Sequence, residues 1–208
     1  MRIQTQHEEH WNAITHLIGA VLGVVGLIVL VLKDTEKTSY SLFSVIIYGL
    51  SIVILFSAST AYHYIKKEKY KHTFRIIDHI SIYFLIAGTY TPVLLVTLEQ
   101  SLGWVLFAVV WGIAAFGVVL KILFTGKFET FSTLLYLVMG WLVVFDFSKL
   151  SELMDTNGIY LLAAGGFAYT VGIVFYAVDK IPYNHVIWHL FVLAGAVFHF
   201  FMVYGYVV

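Results

Sequence analysis

Two histidines four residues apart stand out in the stretch from Tyr183 to Phe200, because the rest of that stretch is almost entirely apolar. On a helix, His185 and His189 would lie on the same face about one turn apart. Two imidazoles placed in this way can bind one metal ion from the same side, and the spacing recurs in zinc sites. The chain lacks the glutamate of the HExxH protease motif, since Val186 follows His185. The pair therefore predicts a metal site of another class.

A third ligand has to come from another helix, and His63 lies at the matching depth of its own apolar segment. The chain contains no cysteine, so imidazole, carboxylate and water are the ligands left for a metal. Three neutral histidines leave zinc its full double charge and one position for water, whose pKa falls to about 7. Asp78 is the candidate to orient this water and accept its proton. Ser59, one turn before His63, is the candidate to position the water or to donate to the oxygen that becomes negative during attack on a carbonyl.

For the other polar residues of the apolar segments, a catalytic or metal-binding role is less strongly indicated. Glu9, Asn12 and His16 form a polar stripe at the start of the first segment, where packing and capping explain them as well as catalysis does. His79 is a candidate partner of the metal ligands. His199 lies ten residues after His189, and we expect it to bond to a neighbouring helix rather than bind the metal.

The elements that must position these residues are predicted to be membrane-spanning helices. The chain is 61% hydrophobic and 12% charged, and crossing a bilayer takes roughly 20 apolar residues of helix. Seven apolar runs meet that length, and the short connections between them hold most of the charges. The sequence therefore predicts an all-α integral membrane protein, with a single domain over residues 1–208 and spans at about 14–32, 42–64, 76–98, 102–124, 131–147, 158–178 and 183–208.

The basic residues predict the orientation of this bundle, because cytoplasmic loops carry an excess of Lys and Arg. With the N-terminus inside, only Lys33, Lys37 and Lys149 of the twelve Lys and Arg residues fall outside. The C-terminus then lies outside, and the candidate residues of four spans gather near the cytoplasmic leaflet. The basic loop 65–75 is expected to contact anionic lipid rather than nucleic acid, because it lies between two spans.

Four motifs, in order along the chain, resemble the hemolysin III family of bacterial membrane proteins: EHWNAITHLIGA, the SxxxH of Ser59 to His63, IDHISIYFLIAGTYTP and HVIWHLFVLAGAVFHF. That family is related to the progestin and adipoQ receptors and, more distantly, to the alkaline ceramidases. The resemblance implies zinc ligation by His63, His185 and His189. It also implies that Asp78 and Ser59 lie beside the water on the metal, in seven helices with a cytoplasmic N-terminus. The expected location is the bacterial plasma (inner) membrane.

Three functions fit these features. The first is a zinc-dependent hydrolase of a lipid amide or ester, since characterised relatives act on ceramide-like amides or work as receptors. The second is a sensor or regulator of membrane-lipid homeostasis in which zinc is structural. The third is a lytic protein, as the family name suggests, although the sequence has no long amphipathic helix of the kind that inserts into foreign membranes. The expected partners are membrane lipids, and the sequence assigns no oligomeric state.

Overall fold

A computed structural model describes residues 4–208, and every regular element in that range is helical. Within it, seven helices are long and apolar enough to cross a membrane, which confirms the predicted fold class. The elements are α1 (Gln6–Lys33), α2 (Ser41–Tyr64), α3 (Glu68–Pro92) with a π-helical end (Val93–Thr97), α4 (Gly103–Phe124), α5 (Glu129–Gly140), a 3-10 segment (Leu142–Asp146), α6 (Phe147–Leu153), α7 (Thr156–Ala177) and α8 (Asn184–Met202) with a π-helical end (Val203–Val207).

Two helices begin well before the predicted spans. α1 starts at Gln6 because Thr5 and Glu8 form a capping box, in which each side chain accepts a hydrogen bond from the backbone of the other residue. α3 starts at Glu68, although the predicted span began at residue 76. Hydropathy locates only the apolar part of a helix, whereas polar turns extend the helix beyond it. The predicted span placed Asp78 in its first turn, which is wrong for the helix, because Asp78 lies about three turns after the start of α3.

The fifth span is broken, although the sequence predicted one continuous segment over 131–147. α5 ends at Gly140, the 3-10 segment follows, and α6 completes the span. The hydroxyl of Tyr90 lies 2.9 Å from the Gly140 carbonyl oxygen, to which it donates, and accepts from the backbone N–H of Val143 at 3.0 Å. Backbone groups freed at the break are thus satisfied within the protein, as an apolar environment requires.

Small residues allow the helices to approach closely. On α4, Gly117 faces the buried ring of Tyr83 on α3, so that a Cβ at this position would overlap the ring. Gly112 on the same helix faces open space. The two glycines therefore differ in what a larger side chain would meet.

One end of the bundle collects the polar residues of the spans. We call this end the N-terminal side. It contains the first turns of α1 and α8, the last turn of α2 and the N-terminal half of α3. The predicted orientation puts it in the cytoplasm. Arg2, which contributes to the charge count behind that prediction, lies outside the described residues.

Candidate metal centre

Three histidines from two helices meet on the N-terminal side. His63 comes from the last turn of α2, and His185 and His189 come from the first two turns of α8. One nitrogen from each ring lies within 4.8 Å of the others, so the three residues could hold a metal ion. His63 and His189 are almost completely buried. We refer to these three residues as the histidine triad.

The orientation of His63 is fixed by a carboxylate that the sequence did not pair with it. The Nδ1 atom of His63 lies 2.5 Å from Oε2 of Glu9, whose other oxygen accepts from Lys71 at 2.7 Å. A carboxylate that pairs with Lys71 is an acceptor, so Nδ1 of His63 carries the hydrogen. The Nε2 atom of His63 is buried and has no hydrogen-bond partner. An unpartnered imidazole nitrogen, backed by a carboxylate on the other nitrogen, fits a metal ligand.

His189 is held by α1 in a similar way. Its Nδ1 atom lies 3.2 Å from the backbone carbonyl oxygen of Asn12, and a carbonyl can only accept. Its ring stacks on His16, with ring centroids 3.5 Å apart and planes 6° from parallel. The polar stripe of α1 therefore lies against the triad. Asn12 contributes its backbone, and its side-chain oxygen and nitrogen have no hydrogen-bond partner.

Asp78 and Ser59 lie next to each other beside the triad. The Ser59 hydroxyl is adjacent to the Asp78 carboxyl, which also lies close enough to His63 to interact with it electrostatically. Both residues are at least nine-tenths buried. Among the His, Asp and Glu side chains of the described residues, the group whose possible ligand atoms lie together consists of the triad and does not include Asp78. Asp78 is thus a neighbour of the potential metal position.

His79 lies beside an ion cluster between α3, α4 and α5. Its Nδ1 atom is 3.7 Å from Oε2 of Glu129, which also pairs with the buried Lys121 at 2.7 Å and, through its other oxygen, with Arg75 at 3.4 Å. His199 lies deeper in α8, with Nε2 3.2 Å from the Leu162 carbonyl oxygen of α7. The Glu129 cluster was not predicted, because its charged residues lie in separate segments of the chain and no local pattern pairs them.

Two cavities meet beside the triad. A mainly apolar cavity of about 630 Å³ extends from it into the bundle, between α3, α5, α7 and α8. A polar vestibule of about 1300 Å³ lies on the N-terminal side and is lined by charged residues such as Glu9 and Lys71. Asp78, His79 and His185 line both. The first volume is in the range of small-molecule sites, and the junction of the two suits an amphiphilic ligand.

The apolar cavity also reaches the lipid-facing surface. Trp141 and Val144 of the broken fifth span line it and are each 52% exposed, and Phe167 of α7 lines it and is 68% exposed. The cavity is partly open to its surroundings, and the exposed residues that line it mark where it opens. This lateral opening lies between the fifth span and α7.

Known proteins resemble the chain over almost its whole length. Residues 4–200 match the profile of the family described as "Haemolysin-III related". The chain is 45% identical over 201 residues to "Hemolysin-3" of Bacillus cereus, covering 96% of this chain and 92% of that protein. It is 44% identical over 205 residues to the "Hemolysin-3 homolog" of Bacillus subtilis (strain 168), covering 98% and 96% of the two chains. It is 32% identical over 215 residues to the human "Monocyte to macrophage differentiation factor", covering 97% and 85%.

Proposed function

Because this chain belongs to the hemolysin III family of multi-pass bacterial membrane proteins, we propose that its histidine triad holds zinc and that the site hydrolyses an amide or ester bond of a membrane lipid. The observation that carries the proposal is the junction of the two cavities, where a buried carboxyl and a hydroxyl adjoin the triad. An amphiphilic lipid would lie with its chain in the apolar cavity and its polar part in the vestibule. The bond between the two parts would then be at the triad.

The three histidines of the triad would hold the zinc, which would supply a Lewis acid and lower the pKa of a bound water to about 7. The chain's own groups do the rest. The Asp78 carboxylate accepts the proton of the attacking water as the water oxygen bonds to the acyl carbon, and the Ser59 hydroxyl donates a hydrogen bond to the carbonyl oxygen as that oxygen gains negative charge. The acyl C–N or C–O bond then breaks, and the protonated Asp78 gives its proton to the leaving amine or alcohol.

A paired measurement on Asp78→Asn tests this proposal. The variant keeps the shape of the side chain and loses the base, so hydrolysis is expected to fall by about 10² to 10⁴ while the zinc content stays near that of the wild type. Zinc content and hydrolysis of a panel of N-acyl and O-acyl lipids should be measured on the same preparation. Asp146→Asn is the matched control, because Asp146 is also 9% exposed but lies at the opposite end of the bundle, where it accepts from the backbone N–H of Leu102.

A structural zinc in a sensor or regulator is the second candidate. It is favoured by the way the triad joins α2 to α8, with α1 bonded to both through Glu9 and Asn12. In that case Asp78→Asn would lose zinc and thermal stability together, and the wild type would hydrolyse none of the lipids. Full zinc content with wild-type hydrolysis in Asp78→Asn would contradict the role of Asp78 as a base.

A further inference from the structure

A polar pair lies inside the apolar cavity, far from the histidine triad. Tyr169 of α7 and His199 of α8 both line this cavity, and their ring centroids are 5.6 Å apart. His199 follows His189 by ten residues, which places the pair about 15 Å along α8 from the triad at 1.5 Å per residue. Burying polar groups in apolar surroundings is costly unless they are hydrogen-bonded, so the pair requires an explanation.

Two glycines hold the pair in place in a reciprocal arrangement. Gly165, one turn before Tyr169 on α7, leaves room for the His199 ring, which a Cβ would overlap. Gly195, one turn before His199 on α8, leaves room for the Tyr169 ring, because a Cβ there would lie 2.7 Å from its Cζ atom. Each ring therefore packs against the backbone of the opposite helix. The positions of both polar groups are set by the packing of α7 on α8.

The hydrogen-bonding state of His199 follows from its one partner. The Leu162 carbonyl oxygen can only accept, so Nε2 of His199 carries the hydrogen and donates to it at 3.2 Å. In the neutral imidazole, Nδ1 then keeps a lone pair, and this atom is buried without a partner. The hydroxyl of Tyr169 is also buried without a partner. The pair thus offers one free acceptor and one free hydroxyl.

We propose that Tyr169 and His199 bind a hydroxyl group carried by the chain of the lipid in the apolar cavity. A hydroxyl donates to Nδ1 of His199 and accepts from the Tyr169 hydroxyl, so it satisfies both groups at once. A plain hydrocarbon chain would leave both groups unsatisfied, and buried polar groups without a partner oppose its binding. The site therefore selects chains with a hydroxyl about 15 Å from the group at the triad. This inference rests on the proposed function only in that the same cavity holds the lipid chain.

Binding to the purified full-length protein tests the inference without any need for hydrolysis. The probes are monohydroxy fatty acids with the hydroxyl at successive carbons, together with the unsubstituted acid of the same length. Each competes with a fluorescent fatty acid for the protein in detergent micelles. One isomer, or a pair of neighbouring isomers, is expected to bind about tenfold more tightly than the unsubstituted acid, which corresponds to about 1.4 kcal/mol.

Variants test whether the preference for a hydroxylated acid comes from Tyr169 and His199. Tyr169→Phe and His199→Phe should each remove the preference and keep binding of the unsubstituted acid. Tyr136→Phe is the matched control and should retain the preference, because the Tyr136 hydroxyl lines the same cavity but already donates to the His79 carbonyl oxygen at 3.1 Å. Thermal unfolding checks that each variant is folded. If His199→Phe does not fold, Tyr169→Phe alone tests the inference.

The outcomes separate this inference from the proposed function. Equal affinity of the wild type for every isomer and for the unsubstituted acid would overturn the inference, and would indicate that the pair holds a water molecule. A preference that survives in Tyr169→Phe would overturn it as well. If no acid displaces the fluorescent probe, the cavity does not hold a lipid chain, and both this inference and the lipid-hydrolase proposal fail.

Discussion

Replacing Glu9 tests how the protein prepares His63 to bind a metal. The Glu9 carboxylate accepts the Nδ1 hydrogen of His63 at 2.5 Å, and the His63 side chain is only 2% exposed. In Glu9→Ala, the N–H of His63 loses its acceptor, and the ring loses the contact that holds Nε2 toward the other two histidines of the triad. Removal of such a partner of a histidine ligand typically lowers metal affinity by about 10- to 100-fold, which corresponds to about 1.4–2.8 kcal/mol.

The size of the effect should follow the chemistry of the replacement. Glu9→Gln keeps an oxygen that accepts from Nδ1 but removes the negative charge, so its zinc affinity is expected to lie between those of the wild type and Glu9→Ala. Lys71 loses its charged partner in both variants, and its side chain is 24% exposed. Solvent near this ammonium limits the cost of breaking the ion pair. The loss of affinity is therefore assigned to His63.

Competition with a zinc chelator, at fixed pH and in one detergent, measures the affinity. Glu129→Gln is the matched control: the Glu129 side chain is 24% exposed against 21% for Glu9, and it also pairs with a lysine, but it does not touch the triad. The control is expected to change stability and leave zinc affinity within a factor of about two, since distant sites are nearly independent. Wild-type affinity in Glu9→Ala would refute the reasoning.

Three further predictions concern the ligands, the orientation and the packing. Metal analysis of the wild type is expected to give about one zinc ion per chain, and replacing any histidine of the triad by Ala should remove it and lower the thermal unfolding temperature; His199→Ala should retain the metal, and zinc loss there would enlarge the ligand set. Reporter fusions after Lys69 should indicate the cytoplasm and fusions at Val208 the outside, whereas a cytoplasmic C-terminus would overturn the charge-based orientation. Gly117→Ala should destabilise the fold by about 1–3 kcal/mol because its methyl group overlaps a buried ring, and Gly112→Ala, measured by the same thermal unfolding assay, should be close to neutral.

The sequence predicted depth along the membrane better than it predicted which helix faces meet. His63, His185 and His189 could be grouped because each lies near the same end of its own span. The contact between Glu9 and His63 could not be predicted, since these residues are 54 positions apart and their meeting depends on how α1 and α2 are rotated about their axes. Hydropathy contains no information about that rotation.

The pattern of apolar residues also could not predict where the backbone is irregular. The break at Trp141 lies within a continuous apolar run, and it is stabilised by the hydroxyl of Tyr90 from another helix. A local pattern cannot reveal a distant hydroxyl that satisfies the freed backbone groups. The same limit applies to His199 and Tyr169, whose pairing depends on glycines of the opposite helices.

The lateral opening between the fifth span and α7 changes what concentration means for a lipid substrate. A lipid that enters there never crosses water, so its chain avoids a transfer cost of about 0.8 kcal/mol per methylene group. For a chain of about ten methylene groups, the barrier that this route avoids is about 8 kcal/mol. Occupancy of the cavity then depends on the mole fraction of the lipid among its neighbours in the bilayer and not on the amount in the surrounding solution. A protein whose cavity fills through this entrance would respond to membrane composition directly, even when no free lipid can be detected in the aqueous phase.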